Sequence, residues 1–138
     1  MGKIKVVHFL NQFFAGVGGE DKAYVPPEIR EGAVGPGIAL EQELQEKAVV
    51  VGTVLCGDNY FAENSEQALQ EVLELIQEFE PDVVITGPAF GSGRYGLACA
   101  QICKVVTEEM NIPAISGMHP ENPAVESYRS QVYMASSS

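Results

Sequence analysis

Residues 82–96 read DVVITGPAFGSGRYG, and the reading of this stretch decides the fold. Residues 82–86 are a short β-branched run, and branched side chains pack well on a pleated surface. Gly87, Pro88, Gly91, Gly93 and Gly96 interrupt it. From 97 to 110 the apolar residues recur at helical spacing. Strand, glycine-rich turn and helix in this order form part of a βαβ unit. The turn leaving such a strand lies on the edge where parallel α/β sheets bind ligands. It carries one cation, Arg94.

Working outward, the pattern repeats. Strands are expected at 3–10 (KIKVVHFL), 48–55 (AVVVGTVL), 112–116 (IPAIS) and 131–135. Helices are expected at 38–47, opened by Pro36-Gly37, at 65–79, stopped by Pro81, and from Ala124. Asn64 or Ser65 is placed to cap the second of these. Residues 11–35 form a connection longer than usual, which is expected to be functional or to pack against something. The alternation implies an α/β class: one three-layer flavodoxin-like or Rossmann-like domain over 1–138, with a mainly parallel sheet of four or five strands. Four loops would then share one sheet edge: Asn11-Gln12 onward, Cys56-Gly57-Asp58, 87–96 and 117–122.

Composition excludes some functions. Eight Lys and Arg against nineteen Asp and Glu give a net charge of −11. A broad nucleic-acid surface needs a basic face, as does an anionic membrane surface. No apolar run approaches the length of a spanning helix. Met1-Gly2-Lys3 leads straight into a strand-like run, so no signal peptide is expected. Three cysteines without a framework spacing suggest a reducing, cytoplasmic setting.

The motifs admit more than one reading. Residues 91–96 formally match G-x-G-x-x-G. The match sits in the third βα unit, and the next strand ends in Ile115-Ser116 without a carboxylate, which argues against a dinucleotide site. Two readings stay open: an anion-binding helix start reinforced by Arg94, or a tight strand–helix turn. At Cys56-Gly57-Asp58 the thiol could be a nucleophile and Asp58 could orient an amine. With no basic neighbour in sequence, a buried structural thiol is favoured. Cys99 and Cys103 read as buried small hydrophobes, and two cysteines alone make no metal site. His119, beside Glu121, could be an acid/base group or a loop cap. His8 reads as a core or edge residue. Residues 11–20 mix amides, aromatics and glycines, which suits a small-molecule pocket or a folded surface loop.

Five blocks carry a resemblance: VVHFLNQFFAGVGGE (6–20), VGPG (34–37), CGDNYFAEN (56–64), GPAF with GRYG (87–90 and 93–96), and GMHPENP (117–123). In that order they resemble the amino-terminal part of the component B selenoprotein of the glycine/sarcosine/betaine reductases. The resemblance runs over about 3–134. Members of that family usually carry other small or polar residues at Gly91-Ser92, so the dinucleotide match is read as accidental.

The resemblance implies reductive cleavage of the C–N bond of glycine or its N-methylated relatives in anaerobic amino-acid fermentation. It implies a pyruvoyl group on other component B subunits, and a selenoprotein A that accepts the carboxymethyl group. A component C then releases acetyl phosphate. It implies longer chains with selenocysteine in a carboxyl-terminal, Cys-rich portion. None of Cys56, Cys99 or Cys103 matches that position. The expectation is a truncated or split portion without a catalytic residue of its own, inactive alone and inclined to associate. Its substrate-binding candidates are Asn11, Gln12, Gly18, Gly19 and Glu20 from the first loop, and Cys56, Asp58 and Asn59 from the second. Gly87, Gly93, Arg94 and Tyr95 come from the third, and His119, Glu121 and Asn122 from the fourth. The ligand would be a small amine carboxylate. The rival reading is a non-catalytic small-anion-binding or subunit-assembly module.

Overall fold

The β-branched runs form the centre of one sheet. A computed structural model describes residues 3–89, 93–118 and 133–136. The strands are β1 (Ile4–Asn11), β2 (Glu28–Glu31), β3 (Ala48–Cys56), β4 (Val83–Ala89), β5 (Ala114–Met118) and β6 (Tyr133–Ser136). The helices are α1 (Pro36–Leu44), α2 (Asp58–Glu63), α3 (Ser65–Glu78) and α4 (Gly93–Glu109). The strand order is β2-β3-β1-β4-β5-β6. β1 lies parallel to β3 and β4, and β5 lies parallel to β4 and β6. Among the described strands only β2 runs antiparallel, against β3.

The expected count of four or five strands is corrected to six among the described residues. The extra strand, β2, sits inside the connection 11–35. Its sequence, EIRE, has no apolar alternation, because it is an edge strand with exposed Ile29, Arg30 and Glu31. Charge on an edge discourages pairing with other chains. The stretch after Cys56 is also not a loop: α2 starts at Asp58. Asn64 does not cap α3 through its side chain. Its amide donates instead to the Tyr60 carbonyl, at 3.2 Å. The region expected to hold a helix from Ala124 lies outside the described residues.

Each face of the sheet is closed by different helices. Val7, Phe9 and Val84 pack against Ala68, Val72 and Ile76 of α3 and Ala98, Cys99, Ile102 and Val106 of α4. The four-residue spacing on α3 puts its buried residues on one stripe. Burying each larger side chain contributes about 1.5–3 kcal/mol. On the other face Val6, Ala48 and Val50 meet Leu40 and Leu44 of α1. One close approach favours glycine: a Cβ on Gly52 would press on the Phe79 ring, which would have to shift. No helix among the described residues is long and apolar enough to cross a membrane.

Candidate functional site

β1 is flanked by β3 on one side and β4 on the other, so the crossovers leave in opposite directions around it. A crevice opens at the carboxyl ends of strands where the order reverses in this way. β1 ends there in Asn11, Gln12 follows it, and both are buried. The Asn11 side-chain oxygen accepts the Phe14 amide at 2.9 Å. Its nitrogen donates to the Asp58 carboxylate at 3.1 Å. The Gln12 oxygen accepts the Asp58 amide at 3.0 Å, and its nitrogen donates to the Gly19 carbonyl at 3.3 Å. Two amides thus bind the start of α2 to the first loop.

Backbone contacts complete that junction. Gly57 N–H donates to the Val25 carbonyl at 2.9 Å, and the amides of Asn59 and Tyr60 donate to the Ala23 carbonyl. A Cβ on Gly57 would stand 2.3 Å from that carbonyl oxygen, so only glycine fits.

Opposite charges meet on this edge. Burial pushes the Asp58 carboxyl above the ordinary carboxylate range, and the Asn11 hydrogen bond pulls it back. Glu20 pushes it up further, and Arg94 and then Gln12 lower it. Arg94, exposed in the first turn of α4, donates to the Asn59 side-chain oxygen. The ion pairs among the described residues are Arg30–Glu28 and Lys104–Glu108. Asp58 and Arg94 therefore influence each other without forming a direct pair.

The structure brings together Asn11, Gln12, Gly19, Glu20, Asp58, Asn59 and Arg94. Gly18 lies in the same loop, its amide donating to the Gln12 carbonyl at 3.3 Å. Tyr95 lies beneath, fully buried, with its ring 6.3 Å from Phe9 and 5.8 Å from Phe14. Burial pushes its phenol well above the ordinary value. Gly93 begins α4. Cys56 is buried and its thiol is pushed up to about 12, chiefly by desolvation. His119, Glu121 and Asn122 lie outside the described residues.

Sequence reasoning passed over the role of His8. Its Nε2 donates to the Gly87 carbonyl at 2.6 Å and ties β1 to the end of β4. Burial holds the ring below the ordinary histidine value, hence neutral near pH 7. Gly87 has φ +99°, and a Cβ there would stand 2.3 Å from the Gly117 carbonyl oxygen. A polar ring inside the apolar run 6–10 was the available signal. Gly37 leaves room for that ring, since a Cβ would stand 2.8 Å from His8 Nδ1.

Chemically, the edge presents both charges, the Asp58 carboxylate and the Arg94 guanidinium. It offers no thiolate: Cys103 is also buried and pushed up to about 12, and burial raises Cys99 as well. No group of His, Cys, Asp and Glu among the described residues could hold a metal ion.

Comparison with known proteins places the chain. The family described as Glycine/sarcosine/betaine reductase selenoprotein B matches residues 3–138. The sarcosine reductase complex component B subunit beta of Peptoclostridium acidaminophilum is 55% identical over 132 residues, 96% of this chain and 30% of that protein. The glycine reductase complex component B subunit gamma of Carboxydothermus hydrogenoformans is 53% identical over 134 residues, 97% of this chain and 31% of that protein. The betaine reductase complex component B subunit beta of Peptoclostridium acidaminophilum is 44% identical over 130 residues, 94% of this chain and 30% of that protein. The chain thus spans less than a third of the length of these relatives. No solved structure matches it. With the family match running from residue 3 to residue 138, the chain belongs to the glycine/sarcosine/betaine reductase selenoprotein B family.

Proposed function

We propose that this chain is the substrate-side portion of a reductase component B that cleaves the C–N bond of glycine or an N-methylated glycine. The observation that carries the reading is the placement of Asp58 and Arg94. Separate helices hold these opposite charges on one sheet edge, coupled but not directly paired. Arg94 suits the substrate carboxylate, and Asp58, steadied by Asn11 and Gln12, suits the amine. A quaternary amine has no N–H to donate, so its attraction to Asp58 would be purely electrostatic.

The redox groups belong to other portions in this reading. Selenocysteine and a pyruvoyl group would be supplied by the rest of component B, and selenoprotein A would take the carboxymethyl group. The buried, protonated cysteines support placing the redox atom elsewhere. They also suit a reducing cytoplasm. A flavodoxin-like single domain is the architecture we assign. Without β2, the strands numbered along the chain run 2-1-3-4-5, the order typical of that fold.

Calorimetric titration with glycine, sarcosine and betaine tests the reading. Saturable binding that weakens in both Asp58→Ala and Arg94→Ala supports it. Binding indifferent to both substitutions overturns it. Turnover by the isolated chain with a dithiol would overturn the assignment of the redox groups; turnover only after the remaining component B portions are added would support it.

A further inference from the structure

The opposite end of the sheet carries a concavity. α3 and α4 end there side by side, and a groove of about 550 Å3 opens between their last turns. Leu73, Met110 and Ile112 line it, half-buried and packed against the main core. Glu74, Glu80 and Glu109 line it too, and all are exposed. Gln70 and Gln77 complete the polar lining, so half-buried apolar side chains and carboxylates share one surface.

Its electrostatics lack a complement. Neither α3 nor α4 has a basic residue in its last turn. The negative ends of both helix dipoles therefore remain uncompensated. Neither ion pair among the described residues involves Glu74, Glu80 or Glu109. A free amine would satisfy the charges but not the apolar floor. An apolar segment would satisfy the floor and strand the charges. An amphipathic helix bearing Lys or Arg beside its apolar stripe satisfies both.

We propose that this groove docks a cationic amphipathic helix of a partner protein. The proposal concerns the end of the sheet remote from the substrate crevice and does not rest on the substrate reading.

The test uses the full chain and a fluorescent synthetic peptide of leucine and lysine at amphipathic helical spacing. A leucine–glutamate peptide serves as the counterpart. Anisotropy should show binding of the first and none of the second. Glu74→Lys/Glu80→Lys/Glu109→Lys should weaken it by about tenfold or more. The triple Glu31→Lys/Glu43→Lys/Glu46→Lys makes the same charge change on the β2 and α1 side. It should change affinity by no more than about twofold, since screening confines exposed charges to short range. Leu73→Asp should abolish binding. Met110→Gln, closer in size, should weaken it while thermal melts show the fold retained. No binding to the unaltered chain, equal loss in both triples, or binding indifferent to Leu73→Asp and Met110→Gln would each overturn the proposal.

Discussion

At the carboxyl ends of the strands, polar groups are paired with one another. Asn11 and Gln12 hold Asp58, Asn59 holds Arg94, and the Ala23 carbonyl takes two amides of α2. At the amino ends, α3 and α4 stop, and Glu74, Glu80 and Glu109 face solvent around apolar side chains. Internal pairing fixes positions, which a small ligand requires because its few contacts must all be in register. Carboxylates without an ion-pair partner among the described residues, set beside half-buried apolar side chains, fix no such position. The same sheet thus presents internally paired polar groups at one end and carboxylates outside any ion pair of the described residues at the other.

The largest expected effect tests whether the carboxyl end is sealed. A Cys56 thiol held near 12 exposes few thiolates at neutral pH. Its alkylation in the native chain should be slower than that of a free thiol by about a thousandfold. Fast labelling before unfolding, followed by mass spectrometry, would break the contrast.

Two glycines sharpen it next. A methyl on Gly57 meets the Ala23 carbonyl, which cannot move without the backbone. A methyl on Gly52 meets the Phe79 ring, a half-buried side chain able to swing aside. Gly57→Ala should cost about 3 kcal/mol and Gly52→Ala about 1 kcal/mol. Urea titrations of both variants measure the difference, and equal losses would erase the distinction.

Asp58 comes third. Its folded-state pKa lies above the ordinary 3.8, so protonation favours the folded chain. That stabilisation is complete below the ordinary value and is lost as pH rises through the folded value. Asp58→Asn stays neutral throughout. It should melt at higher temperature than the unaltered chain at pH 7, and the advantage should vanish in acid. Amine affinity should fall about tenfold at the same time. A variant less stable at pH 7 would show that the charge supports the fold instead.

The smallest effect concerns Arg94, which is exposed and therefore screened. Arg94→Ala should weaken carboxylate binding about fivefold and leave the melting temperature nearly unchanged. A lowered melting temperature with unchanged affinity would recast Arg94 as a brace for Asn59.

The sequence by itself determined the alternation of strands and helices. The runs 4–11 and 48–56 and the 68-72-76 stripe carry period and composition in a few neighbouring residues, so local reading suffices. It also placed Asn11, Gln12, Asp58, Asn59 and Arg94 at strand exits, because parallel connectivity sends such exits to one edge. Tertiary structure decided the rest. β2 exists because the edge of β3 was available to pair, and nothing in EIRE announces a strand. α2 begins at Asp58 because the Ala23 carbonyl, over thirty residues earlier in the chain, receives the amides of Asn59 and Tyr60. Tyr95 is a buried floor because α4 lies against Phe9 and Phe14. The groove at the amino ends joins α3 to residues following α4. Each depends on groups distant in sequence meeting in space, and pairing, burial and desolvation act only once they have met.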